Sequence, residues 1–332
     1  MSRGAAPGFP QPAAPPSEIH RAAPPNPANA GGSGAGRAVA TSSRVRLAVL
    51  AALSLSACAT FNHAPPRDRS PELRLAAPAP APAPRALRVV QYNVHGVAGD
   101  VIAQAIAGNP ALAAADVIFL DEVAAFGPCS AACAAGARLG LASVYAPGHQ
   151  QDGGTSGVAI LARFPLRDVA VIELPYLSTV VNSARRIGLA ATIDGADGPV
   201  RLIATHLDNR VNPADRVRQL APVLAHAQAW DGPVVIAGDM NTSPFLWLGH
   251  LVPVPAGTQD ARLERAVRAA GLDTPVTGSA ATSQWLNMRL DAIYTRGLVP
   301  GRFGVEQTVR ISDHLPLWLD ATLVPTVATA AR

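Results

Sequence analysis

The sequence predicts an α+β protein in which two packed, mostly antiparallel β-sheets are flanked by helices. Nine short β-branched or apolar runs recur between residues 86 and 324, which is too many strands for a purely helical protein. Three helical patterns interrupt them at uneven spacing, so the strict alternation of a doubly wound parallel sheet does not hold. We therefore expect one strand-rich domain over residues 86–324.

The individual elements follow from local patterns. The apolar runs predict strands over 87–94, 117–123, 156–163, 168–174, 187–194, 200–207, 234–237, 290–294 and 315–323. The helical patterns cover 101–114, 213–230 and 259–270. Asn212 is a suitable N-cap for the second helix, Pro213 fits its first position, and the third helix ends before Gly271.

Residues 1–57 have the pattern of an N-terminal extension and an export signal. Arg44 and Arg46 precede the apolar run 47–55, and small residues then lead to Cys58. This arrangement resembles the bacterial lipoprotein signal, in which the cysteine becomes the lipidated first residue of the mature protein. The alternative is a buried core segment followed by an unmodified cysteine.

The basic charge of the chain lies in this same segment. The 332 residues include 27 basic and 23 acidic side chains, which gives a net charge of +4. Five of the basic and one of the acidic residues fall within 1–57, so the rest of the chain is neutral. A basic surface that follows nucleic-acid phosphates is therefore not indicated by composition.

Residues 58–85 predict a Pro/Ala-rich tether. The Ala-Pro repeat over 77–84 favours extended polyproline II, which acts as a semi-rigid spacer and would hold a domain off a membrane surface. Residues 325–332 are expected to form a disordered tail.

Cys129 and Cys133 are the two cysteines that remain if Cys58 carries lipid. They are close enough in sequence to form a disulfide in an oxidising compartment. Two buried, unpaired thiols are the alternative, because spacing alone does not guarantee bonding geometry. A zinc site is not expected, since no second Cys or His pair has a matching spacing.

Metal-capable and titratable side chains recur within or just after the predicted strands. A single Asn or Asp at a strand end is usually a turn residue, and a single His is usually structural. Several such groups are harder to explain, because buried carboxylates are costly unless they are paired or bound to a cation. These residues are Asn93 and His95, Asp121 and Glu122, His206 and Asp208, Asp239 and Asn241, Asp291, and Asp313 with His314.

The motifs around these residues resemble the endonuclease/exonuclease/phosphatase superfamily. In order, they are Gln-Tyr-Asn-Val-His, Leu-Asp-Glu-Val, Thr-His-Leu-Asp, Gly-Asp-Met-Asn-Thr, Arg-Leu-Asp-Ala-Ile-Tyr and Ser-Asp-His-Leu-Pro. The resemblance covers residues 86–322. It implies a four-layer α/β/β/α sandwich and a metal-dependent phosphoester hydrolase in which water attacks phosphorus in line.

The resemblance also implies the metal ligands. Glu122 would be the principal ligand with Asn93 beside it, and Asp313 would bind or orient the same ion or a second one. Such hard oxygen ligands suit Mg²⁺, with Mn²⁺ as the alternative.

The remaining roles come from the same resemblance. Asp239 would orient or deprotonate the attacking water, while Asn241 and His206 contact the phosphate. His314 would act as acid/base or stabilise the transition state, with Asp291 fixing its tautomer. For three further positions the residues leave the role open: His95 would line the rim of the site, Asp208 would orient His206 or cap the following loop, and Arg186 would reach phosphate. Gly238 would let the backbone pass close to the ligand beside Asp239.

The leading functional hypothesis is a phosphodiesterase or nuclease, monomeric and anchored through Cys58 to the cell envelope, facing the periplasm. The alternative is a lipid-directed phosphodiesterase or phosphatase, of the sphingomyelinase or inositol-phosphate type, which membrane anchoring favours. A non-catalytic envelope binding lipoprotein would require the metal site to be vestigial. A serine hydrolase is excluded, because the sequence has no Gly-x-Ser-x-Gly elbow.

Overall fold

A computed structural model describes residues 65–66, 68–75, 82–177, 184–243, 254–285 and 287–325. Cys58, the predicted signal segment and residues 326–332 of the predicted tail lie outside these residues. Among the helices of the described part of the chain, none has the length and apolar character needed to span a membrane.

Twelve strands and five helices make up the described chain. The strands are β1 (Glu72–Arg74), β2 (Ala86–Asn93), β3 (Val117–Ala125), β4 (Ala142–Gln151), β5 (Gly154–Ala162), β6 (Arg167–Glu173), β7 (Ile187–Gly195), β8 (Gly198–Thr205), β9 (Val234–Asp239), β10 (Asp291–Arg296), β11 (Leu298–Val305) and β12 (Leu317–Leu323). The helices are α1 (Gly99–Ala107), α2 (Pro110–Ala113), α3 (Ala131–Leu139), α4 (Pro213–Gln228) and α5 (Ala256–Ala269).

The strands form two sheets that pack face to face. One sheet has seven strands in the order β1-β4-β5-β3-β2-β12-β11, and the other has five in the order β10-β9-β8-β7-β6. Neighbouring strands are antiparallel except for the pairs β2–β3 and β8–β9, which are parallel. The predicted α+β architecture of two packed sheets with flanking helices is confirmed.

Alternating burial explains the layers. In β2, Val89 packs into the core between the sheets, while Val90 packs on the outer face together with Ile102 of α1. Successive strand residues point to opposite faces, so a strand with both faces covered is apolar throughout. Leu220 of α4 covers the outer face of the five-stranded sheet in the same way. Each fully buried aliphatic side chain contributes about 1.5–3 kcal/mol.

The predicted helix over 101–114 is wrong as a single element, because it divides into α1 and α2. The side chain of Asn109 accepts hydrogen bonds from the backbone N–H groups of Ala111 and Leu112, and Pro110 occupies the first position of α2. An Asn-Pro pair disfavours helical backbone before the proline and caps a new helix after it.

Part of the segment predicted as a tether belongs to the folded domain. Strand β1 pairs antiparallel with β4 at the edge of the seven-stranded sheet. Glu72 Oε2 accepts a hydrogen bond of 3.0 Å from the backbone N–H of Ser130, the N-cap of α3. Cys129 immediately precedes Ser130, Cys133 is the third residue of α3, and a disulfide joins the two cysteines.

Candidate functional site

The polar residues singled out in the sequence meet at one end of the sandwich, where strands of both sheets end or begin. Asn93 is the last residue of β2 and lies opposite Asp121 of β3 in the parallel ladder. Asp239 is the last residue of β9 and lies opposite Asp291, the first residue of β10. Both carboxylates and Asn93 are at most 1% exposed. The site is therefore built on rigid strand ends of two packed sheets.

Glu122 is directed into the site by a bulge in β3. The pairing of β3 with β5 shifts register between Leu120 and Val123, and Glu122 has a φ of +53°. Asn241 and His95 also have positive φ values. A non-glycine residue in this region costs of order 1–3 kcal/mol when the surrounding structure imposes it, and bulges redirect side chains next to active sites.

Glu122, His206 and Asp239 bring one ligand atom each within 4.8 Å of the others. Asn93 lies between the two carboxylates, since its Nδ2 donates to Glu122 Oε1 at 3.1 Å and to Asp239 Oδ2 at 3.0 Å. Turning the amide by 180° would present its oxygen instead. Two carboxylates, an amide and an imidazole at this spacing fit a divalent cation that prefers oxygen ligands.

Asp313 lies at the exposed edge of this group, and His95 separates it from Glu122. His95 Nδ1 is 3.2 Å from Glu122 Oε2 and 3.5 Å from Asp313 Oδ1. The hydrogen bond with Glu122 raises the pKa of His95. Burial favours a higher pKa for Glu122, but its bonds with His95 and Asn93 outweigh burial and lower the pKa of this carboxyl.

His314 pairs with Asp291, as the resemblance implied. His314 Nδ1 is 2.7 Å from Asp291 Oδ2, and His314 Nε2 is 3.6 Å from Asp239 Oδ2. Burial opposes the charged imidazolium, but the charges of Asp291 and Asp239 outweigh it and raise the pKa of His314 well above its usual value. Burial, with a smaller contribution from the charge of Asp291, raises the pKa of Asp239 to about 7.

The ring nitrogen Nδ1 of His206 contacts the guanidinium of Arg186 and not a carboxylate. Arg186 Nη1 is 3.0 Å from His206 Nδ1, while Asn241 Nδ2 is 2.9 Å from His206 Nε2. A guanidinium and an amide nitrogen can only donate, whereas a neutral imidazole has one accepting nitrogen, so only one of these two contacts can be a hydrogen bond. Burial and the charge of Arg186 lower the pKa of His206 well below its usual value.

A second layer of buried polar groups supports the site from below, and its members have no role among those that the resemblance implies. Gln91 Nε2 donates to Asp121 Oδ2 at 2.7 Å and to Asp291 Oδ1 at 3.2 Å. Asp121 Oδ2 also accepts from the backbone N–H of Asp239 at 2.7 Å. These bonds join the two sheets directly beneath Asn93. The signal was available, because Gln91 lies two residues before Asn93 and so on the same face of β2.

Gly238 is required by the neighbouring strand, which is a reason for a glycine here that the sequence does not show. A Cβ at this position would lie 1.6 Å from the carbonyl oxygen of Thr205 in β8. Glycine therefore lets β8 and β9 approach each other immediately before Asp239.

The sequence model of the Endonuclease/Exonuclease/phosphatase family matches residues 90–314 of the chain. This range includes every site residue described above. The chain belongs to this family. Its members are typically metal-dependent phosphoesterases, and the resemblance drawn from the six motifs is confirmed. The comparison with curated proteins finds no match.

Solved structures of the family share the fold at low identity. An endonuclease/exonuclease/phosphatase from Beutenbergia cavernae is 20% identical, with a TM-score of 0.58 and coverage of 72% of each chain. A family protein from Leptotrichia buccalis is 16% identical, with a TM-score of 0.55 over 71% of this chain and 100% of that one. The human Nocturnin catalytic domain, solved with a bound sulfate anion, is 19% identical, with a TM-score of 0.53 over 78% and 99% of the two chains.

Proposed function

We propose that this protein is a Mg²⁺-dependent phosphodiesterase or nuclease that acts in the cell envelope. The observation that carries the proposal is the convergence of Glu122, Asp239 and His206 within 4.8 Å, next to the His314–Asp291 pair. This combination supplies oxygen ligands, a group that can take a proton from water, and hydrogen-bond donors for phosphoryl oxygens. Hydrolysis of a phosphoester requires all three.

Glu122 and Asn93 would hold the cation, and Asp313 would approach it from the exposed edge. When bound, the cation supplies positive charge to the phosphoryl oxygens and to the leaving oxygen. The fit rests on the donor set, because three carboxyl groups and an amide surround one end of the sandwich, and buried like charges are costly without a counterion.

Asp239 would orient the attacking water and take its proton. Its Oδ1 accepts from the backbone N–H of Asn241 at 2.8 Å, which fixes the carboxylate and directs Oδ2 towards His206 and His314. The imidazole of His206 and the amide of Asn241 would then face the position of the phosphate. His314, held by Asp291 through Nδ1, would protonate the leaving oxygen or stabilise its charge through Nε2.

The test is hydrolysis by the purified full chain of plasmid DNA, RNA, sphingomyelin, inositol phosphates and a chromogenic phosphodiester. We expect phosphodiester hydrolysis in Mg²⁺, loss in EDTA and recovery when Mg²⁺ is added back. His314→Ala should lower turnover by about 10²–10⁴-fold in a protein that remains folded. Arg218→Gln, a change at an exposed arginine of α4, is the matched control. Full activity in EDTA would contradict the metal mechanism.

We also propose that the domain is anchored to the envelope by lipid on Cys58. The support is the basic flank, the short apolar run over 47–55 and the small residues before the cysteine. Cys58→Ala should move the protein from the membrane fraction to the soluble fraction of cells. The control is Trp285→Ala, which keeps Cys58 and should stay in the membrane fraction. Unchanged fractionation of the Cys58→Ala protein would contradict the anchor.

A further inference from the structure

A polar cavity opens beside the candidate site and has no role in the steps described above. Its volume is about 300 Å³, at the lower end of small-molecule sites. Its described lining contains two arginines, Arg186 and Arg210, together with His149 and one carboxylate, Glu122. The other lining residues are the neutral hydrogen-bonding side chains of Gln151, Ser156 and Asn209. Every described lining residue is therefore polar or charged, in contrast to the mostly apolar pockets that bind drug-like ligands.

Arg186 retains unused hydrogen-bonding capacity on this wall. One guanidinium nitrogen, Nη1, faces His206 Nδ1, but the buried Nε has no hydrogen-bond partner among the described residues. The adjacent Arg185 differs, because it pairs with Glu173 and donates to the carbonyl oxygens of Pro147 and Gly148. A buried donor without a partner is costly, so the described contacts leave the guanidinium of Arg186 only partly satisfied.

The cavity and the reaction site share a wall. Glu122 lines the cavity and is also the expected metal ligand, and the Arg186–His206 pair connects the cavity to the position of the phosphate. A substrate whose scissile phosphoester lies against His206 would thus extend a neighbouring group directly into the cavity. That group would meet two guanidinium groups, which form strong, often bidentate hydrogen bonds with phosphate.

We propose that this cavity binds a second phosphate group of the substrate, carried on the same sugar or polyol as the scissile phosphoester. The inference rests on the proposed phosphoester hydrolysis and specifies its substrate class. The lining disfavours two other groups that can neighbour a scissile phosphoester, a nucleic-acid base and a lipid chain. Among its described residues there is no Phe, Tyr or Trp on which a base could stack, the ring of His149 is buried, and no apolar side chain offers a surface for a lipid chain.

The test uses chromogenic nucleotides that differ only in the second anion. One is thymidine 5′-(4-nitrophenyl phosphate), the next carries a free 3′-phosphate, and the third carries the 3′-phosphate as its methyl ester. We expect kcat/KM to be about 10- to 100-fold higher with the free 3′-phosphate than without it, because charge-assisted hydrogen bonds are the strong ones. Preference for the free phosphate over its methyl ester supports a terminal phosphate. Equal use of both supports the phosphate of a polynucleotide backbone.

Variants separate the cavity from the reaction site. Arg210→Gln should bring the ratio of kcat/KM for the free 3′-phosphate to kcat/KM for the unphosphorylated substrate towards one. Arg210→Lys, which keeps the charge, should retain part of that ratio. Arg302→Gln changes an arginine whose side chain is 82% exposed and should leave the ratio as in the wild type.

A binding measurement distinguishes failure of this inference from failure of the proposed function. Calorimetry in EDTA should give tighter binding of thymidine 3′,5′-bisphosphate than of thymidine 5′-phosphate, and Arg210→Gln should remove the difference. Equal kcat/KM for all three substrates would overturn the cavity assignment while leaving hydrolysis intact. If no substrate is hydrolysed, the proposed function fails, and equal binding of the two nucleotides would then overturn the cavity assignment independently.

Discussion

Asp291 holds two hydrogen-bond donors at once, and this makes Asp291→Asn an informative change. Its Oδ2 is 2.7 Å from His314 Nδ1, and its Oδ1 accepts from Gln91 Nε2 at 3.2 Å. Asparagine keeps the shape of the side chain but has only one oxygen. Its amide nitrogen must therefore face either Gln91 Nε2 or His314 Nδ1. If it faces His314, the ring must accept at Nδ1, which removes the protonated Nδ1 and disfavours the imidazolium.

The size of the effect follows from the bond that is lost. A hydrogen bond to a charged group contributes about 1.5–3 kcal/mol, and this pair is almost fully buried. At about 1.4 kcal/mol per factor of ten in rate, we expect kcat to fall about 10- to 150-fold. The loss should be larger for an alkyl leaving group than for 4-nitrophenol, because a poor leaving group depends more on protonation by His314.

The assay measures kcat for both leaving groups in saturating Mg²⁺, together with thermal unfolding of each variant. Asp320→Asn is the matched control, since Asp320 pairs with Arg88 on the seven-stranded sheet, away from the site. It should change stability and leave kcat unchanged. Wild-type kcat in a folded Asp291→Asn protein would refute the assigned role of the His314–Asp291 pair.

Two further predictions concern stability. Gly238→Ala would place a Cβ 1.6 Å from the carbonyl oxygen of Thr205, so we expect a loss of about 1–3 kcal/mol or more and a lower urea midpoint; an unchanged midpoint would show that β8 and β9 can separate freely. The hydrogen bond from Arg88 lowers the pKa of Asp320, so the pair stabilises the fold above the unfolded-state pKa near 3.8 and loses this effect as pH falls through the lower folded-state pKa. Asp320→Asn should therefore unfold more easily than the wild type by about 1 kcal/mol at pH 7, with the difference shrinking below about pH 4; a difference independent of pH would contradict the pairing.

The strands whose sequence is continuously apolar were predictable, whereas two strands that contain breaker residues were not. Strand β4 includes Pro147, and β11 includes Pro300, each of which indicates a turn when read locally. In both cases the register of pairing shifts at or beside the proline. A bulge removes the need for a backbone donor there, so proline is tolerated. Only the neighbouring strand reveals this.

Helix α3 was missed although its local signals were present. Ser130 accepts from the backbone N–H of Cys133 as an N-cap, and Gly140 ends the helix in the left-handed conformation. The Ala-rich stretch between them lacks a strong apolar periodicity, and that is the property on which the prediction relied. Strand β1 was missed for a different reason, because it has three residues and is held by contacts with the turn before α3.

The site was predictable to the extent that each residue lies at a strand end. The strand pattern, together with the family motifs, places Asn93, Asp239 and Asp291 in one region because chain direction and side-chain alternation determine which residues share an edge. The contact between Arg186 and His206 could not be predicted in this way. It depends on how the segment before β7 packs beside the end of β8, which is a tertiary property.

The most direct test of the proposed mechanism is whether Glu122, Asn93 and Asp313 form a divalent-cation site. Binding of Mn²⁺ to the full chain can be measured by electron paramagnetic resonance, with Mg²⁺ as competitor. We predict saturable binding that Mg²⁺ displaces, weakened at least about 10-fold by Glu122→Gln and unchanged by Asp231→Asn, which alters an exposed carboxylate. Equal affinity in the wild type and in a folded Glu122→Gln protein would contradict the claim.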